Sequence, residues 1–564
     1  MRRAPFLAAL VAAALAVTPT PATASPHDPP SHNPVSAGAA DTFADPAVIR
    51  GKDGFWYAYG TSDPLFAGQT EPRLIPILRS RNLFDWTYVG DVFTPATRPS
   101  WATATAGLWA PDIRYAAGRY VLYFTVTDTT LNEGDDSAIG VATAPTPTGP
   151  WTPTGAPIVA PRPAGDGFLW TFDPAGLTDL QGRRWLYYGS YFGGIFVVPL
   201  SADGLTVTGP PTQVTIDNRY EGAYVIARHG WYYLFASAAN CCAGPTTGYS
   251  VFAGRSKSPT GPFVDRDGVS LLTSRVGGTP VIQPNGNRWI GTGHNAVVTD
   301  ERGRDWLVYH AIDRAEPYLN EPYGINRRPM LIDPLRWKGG WPTATASDGP
   351  VLRWGEPGRD GRLLFADDFS AGLGSGWTWI RQDPDAAVAG GALRWPTQAA
   401  DLVGPNNTAG VLVRDAPTGS YVVETKLSID LGADPTVVRN FQQAGLIAYA
   451  NDDDFARLSH VAIWNTRQIE FGRELPYAGR LSYGGMVEGP PADTTWLRLA
   501  HQVDPATGEH EFRAAWSLDG RRWDWGGVWT FPAGPAPRIG LISHGGDTPQ
   551  ATAVFDYVRV HRLR

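Results

Sequence analysis

Two aspartates stand directly before prolines at the threshold of apolar segments: Asp45 in "FADPAVI" (43–49) and Asp173 in "FDPAGL" (172–177). A proline favours an extended conformation in the residue before it, so both carboxylates are expected to be held stiffly where strands begin. One such pair alone is an ordinary strand-entry turn, but two with matching flanks ask for a shared role. A third acid, Glu221 in "RYEGAYVIARHGWYYLF" (219–235), stands at a matching offset before an aromatic run. Converging carboxylates raise one another's pKa. Enzymes accept that cost where one acid must stay protonated while another stays ionised, which is general acid–base chemistry.

The aromatic run that follows each acid is one of five echoes: "GFWYAYGTS" (54–62), "GRYVLYFTV" (118–126), "RRWLYYGSY" (183–191), "GWYYLFASA" (230–238) and "RDWLVYHAI" (304–312). Each is a turn, then alternating large aromatic and aliphatic residues, then small or polar ones. Their uneven spacing fits sheets joined by loops of variable length, and radially repeated four-stranded sheets make a propeller. Five blades are expected over residues 41–357, with the innermost strands bringing Asp45, Asp173 and Glu221 to one channel mouth. The turns "SRNLFDWTYVG", "APTPTGPWTPTG" and "SKSPTGPFVD" support the repeat. After Gly358 the texture changes to alternating strands such as "SYVVETKLSID" (420–430) and "AVFDYVRVHRL" (553–563). Residues 358–564 read as an antiparallel β-sandwich, so the fold class is all-β.

Composition agrees. The 564 residues exceed one core. The 64 glycines and 50 prolines favour short strands and turns over long helices. A net charge of −7 without a basic stripe excludes nucleic acid as a partner. The 22 tryptophans supply core and, in part, the flat faces on which sugar rings stack. Residues 1–24, with a basic start, an apolar run from Pro5 to Val17 and Ala22-Thr23-Ala24, resemble a secretory signal. That run is too short to span a bilayer. The protein is therefore expected to be secreted, extracellular and monomeric, with residues 25–40 a disordered leader.

The motifs "FADPAVI", "LWAPDIRY", "FDPAG", "YGSYFGGI", "RYEGAYVI" and "GTGHN" together resemble glycoside hydrolase family 43, the arabinanase and β-xylosidase family of five-bladed propellers. The resemblance spans the first domain. The stretch after the fourth echo is most similar to endo-1,5-α-L-arabinanases, although Ala223 stands where those enzymes commonly carry proline. The second domain resembles the concanavalin-like sandwich that follows the propeller in β-xylosidases of the family. The resemblance implies that Asp45 is the general base, Glu221 the general acid and Asp173 the acid that orients Glu221 and keeps its pKa raised. It also implies inversion, for which the carboxyls must stand roughly 6.5–9.5 Å apart.

Trp109 in "LWAPD" is a candidate sugar platform or a buried structural residue, and Ser190 and Tyr191 in "YGSYF" are candidates to line the cleft. His294 in "GTGHN" resembles the family's histidine that often holds a hydrated Ca2+. The alternative is a hydrogen-bonded core histidine, since calcium prefers oxygen ligands. Cys241 and Cys242 are the only cysteines, and an even count in an exported chain points to a vicinal disulfide, with two unbridged thiols the alternative. Their Cα atoms, about 3.8 Å apart across a trans peptide, fall below the usual disulfide range of roughly 4.4–6.8 Å.

The expected function is a secreted endo-1,5-α-L-arabinanase acting on a polysaccharide or oligosaccharide. The alternatives are an exo-acting α-L-arabinofuranosidase or β-xylosidase, and, in another class, a non-catalytic sugar-binding propeller. An open groove permits internal cuts, whereas a pocket, or a groove sealed by the second domain, restricts cutting to ends.

Overall fold

The computed structural model describes residues 33–345, 361–437, 439–546 and 549–563. The expected signal segment lies outside the described residues, as do the first part of the leader and the 357/358 boundary. The described chain is all-β, and its one helical turn is a short 3-10 segment, Gly244–Thr246.

The first 310 or so described residues form consecutive antiparallel meanders. The first contains strands Ala47–Arg50, Trp56–Tyr59, Pro76–Ser80 and Trp86–Asp91, and the second Leu108–Ala116, Arg119–Val126, Ala138–Ala144 and Thr152–Pro153. The third contains Ala175–Thr178, Arg184–Ser190, Gly194–Leu200 and Thr212–Gln213. The fourth, Tyr220–Arg228, Trp231–Ala238, Ser250–Ser256 and Thr279–Ile282, meets the fifth at one parallel bridge, Ser250 to Thr292. The fifth contains Trp289–Thr299, Asp305–Asp313 and Met330–Pro334. All five aromatic echoes fall on second strands. Their large residues alternate because strand side chains point to opposite faces, and here both faces are covered by neighbouring sheets. Tyr57 and Tyr59 thus pack with Leu122 and Phe124, while Ala58 packs with Val308 and Ile332.

Residues 33–40 are not a disordered leader. Asn33 Nδ2 donates to the Ile332 carbonyl at 3.3 Å, and Asn33 Oδ1 accepts from the Ile332 amide at 3.0 Å. Val35, Ala39 and Ala40 are buried against Trp306 and Met330. Low-complexity composition concealed the segment because its partners are distant in sequence.

The C-terminal part contains two antiparallel sheets. One runs through Tyr421–Ser428, Thr494–Val503, His510–Ser517 and Asp524–Phe531, and the other through Gln443–Asn451, Asp454–Ile463, Thr466–Tyr477 and Arg480–Gly489. They share one core, in which Leu427, Leu497 and Phe512 meet Leu446, Leu458 and Phe471. Ile290 and Ile312 of the fifth meander join that core. Polar contacts tie the parts together: Arg314 holds Glu509 with two bonds of 2.8 and 2.6 Å, and Asn465 Nδ2 donates to Asp217 at 2.6 Å. The backbones touch closely at Gly484, where a Cβ would stand 2.0 Å from the Thr246 carbonyl oxygen.

Candidate functional site

The small or polar residue near the end of each second strand reaches the first strand of the next meander. Thr61 Oγ1 accepts the Ala110 amide at 2.9 Å, Thr125 Oγ1 the Asp173 amide at 3.0 Å, and Ser237 Oγ the His294 amide at 2.9 Å. His310 Nδ1 accepts the Asp45 amide at 3.2 Å. Ser190 Oγ instead donates to Glu221 Oε2 at 3.0 Å, while the Gly222 amide donates to Asp173 Oδ2 at 2.9 Å. All five residues at the matching position have positive φ: Asp45 53°, Ala110 46°, Asp173 55°, Gly222 60° and His294 46°.

Two expectations change here. Asp45 and Asp173 are left-handed rather than extended, despite the prolines that follow. Aspartate tolerates this region better than most residues, and the captured amide and carboxylate hold it there, at a cost of about 1–3 kcal/mol for each such residue. Glu221 also stands one residue before the position that Asp45 and Asp173 share, which Gly222 occupies. A Cβ on Gly222 would lie 3.2 Å from His294 Nδ1.

The structure brings Asp45, Asp173 and Glu221 into electrostatic contact. Asp45 Oδ2 accepts from Thr61 Oγ1 at 2.5 Å. Its Oδ1 lies 3.3 Å from His294 Nδ1, 3.2 Å from His310 Nδ1 and 3.6 Å from Arg328 Nη1. Burial pushes Asp45 up, but His294, the Arg328 guanidinium and His310 together hold it well below the usual carboxylate range. Burial lowers the pKa of both imidazoles, that of His310 to about 4, whereas Arg328 is a permanent positive charge. Glu221 is raised by burial, which outweighs the hydrogen bonds from Tyr249 and Ser190. Asp173 is raised well above the carboxylate range by burial and then by the charges of Glu221 and Asp45. The site therefore separates one acid that ionises easily, Asp45, from two whose ionisation is disfavoured, Glu221 and Asp173, the division acid–base catalysis needs. In the second meander the order is reversed, Pro111 before Asp112, and Asp112 is locked to Arg114 at 2.8 and 2.9 Å and braces the Gly176 amide at 2.8 Å.

Trp109 is 40 % exposed, which makes it a surface ring rather than core. It opens a strip of aromatic rings. Trp109 meets Phe172 edge-on at 6.1 Å, Phe172 stacks on Trp170 at 5.3 Å, Trp170 meets Phe192 at 4.6 Å, and Phe192 meets Tyr191 at 5.1 Å. Trp170, Tyr191 and Phe192 line a cleft of about 490 Å³ with Glu221. Its opposite wall comes from the C-terminal sheets: Phe441, Ile463, Gln468, Glu470 and Tyr483. Cys241 also lines it and is bridged to Cys242, the Cα atoms 3.8 Å apart.

Among the described residues, no group of three His, Cys, Asp or Glu side chains is arranged to hold a metal ion. Around His294 the donors are one shared carboxylate and imidazole nitrogen, with a guanidinium 3.6 Å from that same carboxylate. These protein donors alone do not form the oxygen-rich shell calcium takes, and no step below passes through a metal.

Thr61, Thr125, Ser237 and His310 were not singled out from sequence as site residues, although their shared place at the ends of the echoes carried the signal. Arg328, in a segment outside any echo, carried none.

A family model described as Glycosyl hydrolases family 43 matches residues 31–342. The chain is 32% identical over 309 residues to an extracellular endo-alpha-(1->5)-L-arabinanase of Bacillus subtilis, covering 53% of this chain and 86% of that one. It is equally identical, over 326 residues, to an extracellular exo-alpha-(1->5)-L-arabinofuranosidase of Cellvibrio japonicus, covering 53% and 85%. Among solved structures, a Cellvibrio cellulosa alpha-L-arabinanase complexed with arabinohexaose aligns with a TM-score of 0.45 and 29% identity, over 55% of this chain and 97% of that one.

Proposed function

The chain belongs to glycosyl hydrolases family 43 and is a glycoside hydrolase, and from that premise we propose that it cuts arabinan-type chains of α-L-arabinofuranosyl units, with inversion, from their ends. The relatives named above support the substrate. The wall that the C-terminal sheets add to the cleft beside Glu221 carries the end-cutting reading, because a groove walled by a second domain restricts how a long chain lies across it.

The five linked meanders are read as a closed five-bladed propeller over residues 41–357, joined to a sandwich over 358–564. The hydrogen bonds from each second strand to the next first strand, returning from His310 to Asp45, support closure. Export as an extracellular protein is part of the proposal, supported by the signal-like residues 1–24 and the relatives' extracellular names.

In this reading, ionised Asp45 takes a proton from a water molecule whose oxygen attacks the anomeric carbon. Protonated Glu221 gives its proton to the departing glycosidic oxygen as the C–O bond breaks. Asp173 positions the Glu221–Gly222 backbone through its bond to the Gly222 amide. Trp109 and the ring strip offer stacking faces to the sugars. Internal cutting is the second reading, favoured by the resemblance of "NCCAGPTTGYSVFAGRSKSPTGPF" to endo-acting relatives.

Debranched arabinan, assayed beside aryl α-L-arabinofuranosides and aryl β-xylosides, tests both levels. One short product accumulating while viscosity falls slowly is expected. An early ladder of oligosaccharides with rapid viscosity loss overturns end-cutting. Hydrolysis of the xyloside with no action on arabinan overturns the substrate.

A further inference from the structure

Glu221 lines the cleft, whereas Asp45 and Asp173 do not. If Glu221 protonates the leaving oxygen, as proposed above, the cleft lies on the leaving-group side of the cut. One wall is the aromatic strip, with Trp170 and Phe192 each 41 % exposed. The C-terminal part also lines the cleft and brings to it an apolar ring, Phe441, and a carboxylate, Glu470. Phe441 is 48 % exposed at φ 68°, an exposed aromatic that core packing does not explain.

Glu470 is half-buried in the same wall, and its carboxylate is held from both ends. Gln468 Nε2 donates to Oε2 at 2.8 Å, and Tyr483 Oη donates to Oε1 at 3.0 Å. Gln468 is fixed in turn from the other part of the chain, its Oε1 accepting from Arg219 Nη1 at 2.5 Å. Arg457 Nη2 donates to Tyr483 Oη at 2.8 Å. Each Glu470 oxygen thus has one named donor and keeps a lone pair for another. A rigidly held carboxylate facing aromatic rings across a cleft of this size is suited to a sugar hydroxyl pair, since the rings cover the apolar face and the carboxylate accepts the O–H groups.

We propose that the C-terminal sheets supply the binding site for the leaving-group sugar, with Glu470 accepting its hydroxyl hydrogen bonds and Phe441 packing against its ring. Glu470 is then a specificity-determining residue and Gln468, Tyr483 and Arg219 position it. The linkage from Arg219, two residues before Glu221, through Gln468 to Glu470 keeps this wall in register with the acid.

The test compares substrates with and without a sugar leaving group. Glu470→Gln and Phe441→Ala are assayed on arabinotriose and on 4-nitrophenyl α-L-arabinofuranoside, with xylotriose and the matching aryl β-xyloside run alongside. The comparison is thus made in whichever series the wild-type enzyme cleaves, and failure of the arabinan assignment is read separately. For Glu470→Gln, kcat/KM on the trisaccharide is expected to fall about tenfold, mostly through KM, the order of one charge-assisted hydrogen bond, and for Phe441→Ala about threefold or more through lost ring packing. The aryl glycoside, whose leaving group offers no O–H to Glu470, is expected to change less than about twofold in Glu470→Gln. Equal losses on both substrates in Glu470→Gln, or no loss on the trisaccharide from either variant with an unchanged melting transition, overturn the proposal.

Discussion

The Gly222 amide donates to Asp173 Oδ2 at 2.9 Å, so the third meander's acid grips the backbone directly beside the fourth meander's acid, Glu221. That bond joins two requirements in one carboxylate. It fixes where Glu221 points, and any negative charge it carries disfavours ionisation of its neighbour.

Asp173→Asn is expected to lower kcat by about 10²-fold or more, within the range general acid–base assistance supplies. Where Asp173 is ionised its charge and that of Glu221 disfavour each other, so removing that carboxyl lowers the pKa of Glu221. Activity that needs protonated Glu221 is lost as pH rises through that pKa, so the basic limb of the pH–rate profile moves to lower pH. A profile displaced in neither direction, with kcat reduced, would reduce Asp173 to a scaffold residue.

Arg328 stands 3.6 Å from Asp45 Oδ1 and 3.5 Å from Asp63 Oδ2 and is the permanent cation of the site. Burial raises Asp63 to about 6, which leaves Asp45 the acid that Arg328 chiefly keeps ionised. Arg328→Met raises the pKa of Asp45. Activity that needs ionised Asp45 is lost as pH falls through that pKa, so the acid limb moves to higher pH, with Arg328→Lys restoring part of the shift. An acid limb that stays in place in a folded Arg328→Met protein contradicts this account of the base.

His294 lies 3.3 Å from the same Asp45 oxygen, and its amide is held by Ser237. His294→Ala is expected to move the acid limb upward as well, because the ring lowers the pKa of Asp45. Chelation with EDTA is expected to change kcat/KM by less than about twofold. Loss of most activity on chelation, restored by calcium, would place a metal where the protein donors alone do not form its shell.

The order of the fold was legible because one strand per meander carries the same aromatic alternation, with Asp45 and Asp173 at one shared position ahead of it and Glu221 one residue before that position. The left-handed geometry of Asp45 and Asp173 was not legible. The Asp-Pro pair argues for extension, and only the distant His310 and Thr125 acceptors reverse it. Residues 33–40 were misjudged for a related reason: their partners, such as Ile332, are some 300 residues away. Phe441 and Glu470 carried no signal, since a cleft wall contributed by a second set of sheets is visible only after the two parts are packed together.

The central claim is that Asp45 activates water while Glu221 protonates the leaving oxygen, and the direct measurement is the leaving-group dependence of Asp45→Asn and Glu221→Gln on aryl α-L-arabinofuranosides. Both variants are expected to lose about 10²–10⁴-fold on poor leaving groups. Glu221→Gln should recover much of that loss on dinitrophenyl glycosides, whose leaving group needs no proton, and Asp45→Asn should recover none. Equal recovery in both variants, or near-normal turnover in either folded protein, would contradict the assignment.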